Sequence, residues 1–285
     1  MGDGRIVKVE SREGCQMDVG KLRERVRRDW ERFREGEAGA VRPLVVVSAG
    51  GCTSLGVVDD LQGVGEVCRE FGMWHHCDAC YGGFFGLLTD EGKEKFGDMR
   101  DSVDSIAIDP HKGLFMSHGT GMIIVRYYMK LYNSFFYTSA YMCDVSSLWE
   151  KPDFCCYGVE LTRENRGLPI FFTMKLVGID NYREALTEKL ELAKFLKQEL
   201  SKIEEIELFP HTDLSVVCWR NPTWDNEKNS QWMTQIQSRN TSFITGTTVK
   251  EIFYLRCCIS SLRTHKNHVE DLISEIRLTL EISIF

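Results

Sequence analysis

The stretch DSIAIDPHKGLF, residues 104–115, decides how this chain is read. A short apolar strand runs into a proline and then a His-Lys pair, His111 and Lys112. HHCDACYGG (75–83), whose Asp78 lies 34 residues upstream of Lys112, has a related form. A short apolar segment ends in Asp78, followed by small residues and glycines.

Working outward, LVVVSAGG (44–51) reads as a buried parallel-type strand entering a glycine turn. A helix follows over 61–71 and is ended by Gly72. MWHHC is the next strand, 104–108 another, and GMIIVR (121–126) a third. Strands alternating with helices predict an α/β layer structure. Thr53, Asp78 and Lys112 all fall just beyond strand ends, the edge where open α/β sheets bind ligands.

Residues 127–160 are aromatic and irregular and read as a long loop. Helices are expected over 167–177 and 181–203. From Ile206 the pattern changes: strands at 206–209 and 214–220, a helix at 226–238, strands at 241–245 and 252–260, and a last helix from His265. This predicts a large α/β domain over 1–204, with 1–42 as its polar leader, and a small α+β domain over 205–285. Within the leader, KLRERVRRDWERFREG (21–36) reads as an exposed helix with few apolar anchors.

The net charge of −7 argues against a nucleic-acid or anionic-membrane surface. No apolar run reaches the length of a membrane span, and the first residues have no secretory apolar core. Eleven scattered cysteines, an odd number, point to reduced thiols in the cytoplasm. His75, His76, Cys77 and Cys80 invite a metal reading, but a zinc site needs a second ligand pair at matching spacing. The adjacent pairs Cys155-Cys156 and Cys257-Cys258 suit neither a zinc ribbon nor a finger, so no metal is expected.

A lysine and an aspartate delivered by two strand ends suit pyridoxal phosphate: the amine forms a Schiff base, and the carboxylate keeps the pyridine nitrogen protonated. At this point the chain resembles the group II pyridoxal-phosphate-dependent amino acid decarboxylases, among them the aromatic amino acid, glutamate and cysteine sulfinate decarboxylases. SAGGCTSLGVVDD, GMWHHCDACYGG, DSIAIDPHKGLF, HGTGMIIVR, LTRENRGLPIFFTMKLVGIDNYREAL, DLSVVCWR and YLRCCISSLRTHKNHVEDLI carry the resemblance, in the family's order, over about residues 44–280.

The resemblance implies a fold-type-I large domain, here incomplete, with a mostly parallel sheet and helices on both faces. It implies pyridoxal 5'-phosphate, an L-amino acid substrate, release of carbon dioxide and a homodimer. Lys112 matches the Schiff-base lysine, His111 the histidine before it, Asp78 the carboxylate at the pyridine nitrogen, and Thr53 the turn threonine near the cofactor. Tyr141 resembles the loop tyrosine that protonates the α-carbon, and Arg256 a substrate-side arginine of the C-terminal domain.

There are departures. Cys52 stands for a threonine, Cys80 for the small alanine beneath the ring, and Asp109 for an asparagine near the phosphate. Residues 1–42 show no phosphate cradle and no stacking histidine, so residues 1–285 alone are expected to bind cofactor weakly. Two other readings stand beside this one: another fold-type-I enzyme, such as an aminotransferase, and an inactive paralogue serving as a dimerisation partner.

Overall fold

The computed structural model describes residues 5–136 and 154–284. The first helix, α1 (Val19–Arg34), is capped by Asp18, whose carboxylate accepts the Lys21 N–H. Only Leu22 and Val26 are buried in it, as its charged sequence suggests. Strand β1 (Val45–Ala49) leads into α2 (Leu61–Phe71), and that helix shows why its sequence folds locally. Asp60 caps it by accepting the Gly63 N–H; Leu61, Val64, Val67 and Cys68 form a buried stripe; Gly72 ends it in the left-handed region at φ 63°.

Strand β2 (Trp74–Asp78) follows, then the short helices α3 (Gly83–Leu88), α4 (Asp90–Phe96) and α5 (Met99–Ser102). Strand β3 (Ser105–Ile108), the one-turn α6 (Pro110–Gly113) and strand β4 (Met122–Val125) complete the first sheet, in the order β1-β2-β3-β4. The first three strands are parallel. β4 runs antiparallel to β3, because the link holds only one helical turn and reverses through Gly119 at φ 93°. The sheet is therefore mostly parallel, as the α/β reading requires.

Alternation divides its two faces. Val46, Ser48, His75, Cys77, Ile106 and Ile108 are buried under the helices. On the other face Lys130 lies over the Trp74 ring, while Val45, Val47 and Ile123 are more than half exposed.

Helix α7 (Tyr128–Phe135) occupies part of the expected loop, followed after the undescribed residues by a 3-10 turn, Phe154–Tyr157. Then come α8 (Gly167–Val177) and α9 (Ile179–Leu200). The long α9 joins two cores: Leu186 and Leu190 pack with the first sheet, and Leu192, Ala193, Leu196 and Leu200 with the second. That second sheet is antiparallel, built from β5 (Glu207–Leu208), β6 (Val216–Arg220), β7 (Thr245–Val249) and β8 (Ile252–Cys258) in the order β5-β6-β8-β7. Helices α10 (Asn226–Ser238) and α11 (Lys266–Ile284) cover it. β7 starts at the end of the expected 241–245 stretch, because the two-residue turn Lys250-Glu251 sets its register with β8.

One buried polar contact gives the first sheet a pH dependence. His75 is almost fully buried; its Nδ1–H donates to the Ser102 carbonyl at 2.5 Å, and its Nε2 lies 2.8 Å from Ser48 Oγ. Burial pulls its pKa below the usual imidazole value, outweighing the upward pull of the Ser102 carbonyl and Asp104. The unfolded chain therefore takes up this proton first, so the stability contributed by neutral His75 is present above pH ~6.5 and lost as pH falls below it. The urea midpoint is expected to drop below that pH in the native chain, and to drop less in a His75→Gln variant.

Candidate active site

The parallel strands β1, β2 and β3 end at one edge of the first sheet, and three chain segments leave there side by side. The register pairs Ala49 with Asp78 and Asp78 with Ala107, so Asp78 ends the central strand of the three. The turn after β1 is clamped to the turn after β2. The Gly50 N–H donates to the Asp78 carbonyl at 2.7 Å, and the Gly82 N–H to the Gly50 carbonyl at 3.1 Å. Only glycine fits at Gly82, where a Cβ would stand 2.3 Å from the Gly50 oxygen.

At this edge the sequence-predicted residues fall into two groups. Asp78, Cys80, Asp109, His111 and Lys112 form the first. The Asp78 carboxylate accepts the Cys80 N–H at 3.2 Å. Burial, then the hydrogen bond to Asp78, pushes the Cys80 thiol up to about 12, with Asp109 and Lys112 close enough to act on it too. Lys112 Nζ is 2.7 Å from Asp109 Oδ2, an i,i+3 ion pair across the single turn of α6. Pro110 starts that turn at its first position, where its missing N–H costs nothing. His111 is held by its Nδ1–H, which donates to the Thr120 carbonyl at 2.7 Å, leaving Nε2 3.7 Å from Asp109.

The second group is Thr53 and Arg256. The Arg256 guanidinium reaches across from β8, donating to the main-chain carbonyls of Thr53 at 2.6 Å and Ser54 at 3.0 Å, and to Thr245 Oγ1 at 3.2 Å. Three of its donor contacts thus go to the turn after β1 and to β7, which ties the second sheet to the ligand edge of the first. Tyr141 lies outside the described residues.

Tyr81 was not singled out from the sequence. It follows Cys80 directly, and its hydroxyl lies 2.7 Å from Ser215 Oγ and accepts the Ser215 N–H at 3.2 Å. Burial raises its pKa well above the usual phenol value, so it stays neutral. With Phe85, Lys112, Gly113, Phe115, Leu186 and Ser260 it lines a closed crevice of about 10 Å³. The only sequence signal for it was an aromatic ring directly before two glycines.

An amine and a carboxylate at neighbouring strand ends, with small residues between them, fit the reactive end of pyridoxal phosphate. The crevice is far below the ~300 Å³ of a small-molecule pocket. Among the described residues no three His, Cys, Asp or Glu side chains converge on a metal position. No described helix is long and apolar enough to cross a membrane.

Comparison with known proteins gives the family and the fold. Residues 4–221 match the family described as the pyridoxal-dependent decarboxylase conserved domain. An aromatic-L-amino-acid decarboxylase of Bacillus atrophaeus is 25% identical over 98% of this chain and 58% of its own length. An L-aspartate decarboxylase of Thermococcus kodakarensis is 31% identical over 62% of this chain and 45% of its own length. Among solved structures, Oryza sativa TDC with PLP and tryptamine superposes with a TM-score of 0.88 at 23% identity, covering 99% of this chain and 59% of that one. Rhodiola rosea 4-hydroxyphenylacetaldehyde synthase gives a TM-score of 0.85 at 24% identity, covering 99% and 58%. The chain thus spans about half the length of the curated relatives it matches. With a lysine and an aspartate at adjacent strand ends and a family match over most of its residues, the chain belongs to the pyridoxal-dependent decarboxylases.

Proposed function

We propose that this chain supplies the lysine-bearing part of a pyridoxal-phosphate-dependent carboxy-lyase that converts an L-amino acid to its amine and carbon dioxide. The observation that carries this reading is the cluster of Asp78, Cys80, Asp109 and Lys112 at the carboxyl ends of β2 and β3. When bound, pyridoxal phosphate supplies a sink for the electron pair left as carbon dioxide departs.

The chain's own residues have separate tasks in this reading. Asp78 holds a proton at the ring nitrogen. Lys112 leaves Asp109 to hold the cofactor covalently. His111, fixed by the Thr120 carbonyl, presents an imidazole face beside the lysine. Thr53, in the turn after β1, and Cys80 would help to hold the cofactor, and Tyr141 would return a proton to the α-carbon. Arg256 holds the Thr53 turn against the second sheet and is proposed as the substrate-side arginine of the second domain. The relatives named above act, by their names, on aromatic and acidic amino acids, so the substrate side chain stays open at the level of an L-amino acid.

We place the boundary between the large cofactor-binding part and the small α+β domain near residue 204, just after α9. The partner in this reading is a second copy of the chain. Support comes from α8, mostly apolar yet with no buried residue, and from the exposed Val45, Val47 and Ile123 of the first sheet. The cytoplasm is the proposed location, because the ten described cysteines carry no disulfide.

Borohydride trapping tests the central claim. With pyridoxal phosphate added, peptide mapping is expected to place pyridoxyl on Lys112 and to lose it in Lys112→Arg. Asp109→Asn removes the ion-pair partner of the amine, so the labelled fraction is expected to rise severalfold at limiting cofactor. Label on another lysine, or label surviving in Lys112→Arg, overturns the assignment.

A further inference from the structure

The two adjacent cysteine pairs are not equivalent. Cys257 and Cys258 sit in β8, opposite Val217 and Val216, and strand alternation turns their thiols to opposite faces. Cys155 and Cys156 sit in the 3-10 turn Phe154–Tyr157, where the backbone curls and brings their Sγ atoms to 3.9 Å. Cys156 is buried and Cys155 partly exposed, so one thiol can meet a solute while the other waits beside it. The turn rests on α7. Tyr132 stacks on Phe136 with ring centroids 4.8 Å apart and meets Tyr157 at 5.8 Å.

We propose that Cys155 and Cys156 form a redox-active vicinal dithiol, closed to a disulfide by hydroperoxides and reopened by dithiols. In the first step the Cys155 sulfur attacks one peroxide oxygen. The O–O bond breaks, the other oxygen leaves with a proton as water or an alcohol, and Cys155 becomes a sulfenic acid. In the second step the Cys156 sulfur attacks that sulfur and the S–S bond forms. The hydroxyl leaves with the Cys156 proton as water. Two electrons pass from the two sulfurs to the peroxide.

Geometry makes this disulfide reversible. Adjacent Cα atoms are ~3.8 Å apart across a trans peptide, closer than the ~4.4–6.8 Å that disulfides usually span. Such a bond is strained, and strained disulfides are the readily reduced, regulatory kind. Five other thiols compete poorly: burial pushes Cys68, Cys77, Cys80, Cys218 and Cys257 up to about 12. Closing the sulfurs from 3.9 Å to the ~2.05 Å of a disulfide also pulls on the turn that Tyr132 supports.

The test treats the full 285-residue chain with dilute hydrogen peroxide, alkylates it under denaturing conditions and maps the peptides. The Cys155-Cys156 peptide is expected to lose two hydrogens and to escape alkylation until a dithiol is added. The Cys257-Cys258 peptide is expected to stay alkylatable. A trivalent arsenical, which needs two neighbouring thiols, is expected to protect the same peptide and to fail in Cys156→Ser, a variant checked for folding by circular dichroism. A disulfide from Cys155 to Cys143 in place of Cys156, or equal alkylation of both adjacent pairs after peroxide, overturns the proposal.

Discussion

Asp78→Ala is expected to lower amine formation by roughly 100- to 1,000-fold wherever it is measured with this chain, the range for losing one preorganised electrostatic partner. The reasoning starts at the strand end. Asp78 closes β2 with its side chain exposed, and its hydrogen bonding is to the neighbouring Cys80. A cofactor held with its ring nitrogen at Asp78 would cover the carboxylate and lower the local dielectric, which makes one fixed charge matter most. Without that charge the ring nitrogen loses its proton and with it the capacity to accept electrons. Little of the fold depends on Asp78, because the strand pairing and the Gly50 contact use its main chain. Circular dichroism and the urea midpoint should therefore hardly move while turnover collapses. A variant that keeps amine formation within a few-fold of the native rate would remove Asp78 from the mechanism.

Sequence reading succeeded where a local signal and a tertiary one agreed. Helices α2, α8 and α10 begin and end at the residues expected, because apolar periodicity ran between Asp60 and Gly72 in the first and between clear breaks in the others. The strand-end edge was legible because three apolar strands each ended in a polar or glycine-rich turn, although β1 is buried on one face only. Helix α7 was hidden because its aromatic residues looked like loop density. It buries none of its side chains, so no core stripe marked it. β7 was misplaced because Lys250-Glu251 carries none of the Asn-Gly chemistry that announces a two-residue hairpin, though both residues adopt positive φ.

The Asp109–Lys112 pair becomes visible only once Pro110 is known to start a helical turn, which brings residues three apart onto one face. The Arg256 contact with Thr53 joins residues more than two hundred positions apart, and nothing local in either segment foretells it. The site was thus readable as a set of residue types at strand ends. Its internal pairing was not.

Lys189→Met is expected to cost about 1–3 kcal/mol of stability, the range for leaving buried acceptors without their donor. Lys189 has no exposed surface. Its Nζ donates to Glu188 Oε2 and to the Thr264 carbonyl, both at 2.6 Å, with the Leu262 carbonyl at 3.4 Å. Methionine fills the space of the stem but leaves the carboxylate and both carbonyls without that donor. Glu188 also meets His265 Nδ1 at 2.7 Å. Burial pushes the Glu188 carboxyl up, but the hydrogen bonds from His265 and Lys189 together outweigh it and hold its pKa below the usual value.

A depressed carboxylate contributes stability that is present above its unfolded pKa and lost as pH falls through the folded one. The native chain should therefore weaken below pH ~4.3 through this contact, and Lys189→Met should flatten that limb. Location gives the latch its functional weight. It pins the segment between β8 and α11, next to Ser260, onto α9 one turn after Leu186, and both Ser260 and Leu186 line the crevice beside Lys112. Urea titration at pH 7 and at acid pH measures both effects, and a midpoint unchanged by Lys189→Met would show that the latch carries no stability. The double variant Lys189→Met/Glu188→Gln should recover part of the loss, because a neutral amide is left behind where the single variant strands a charge.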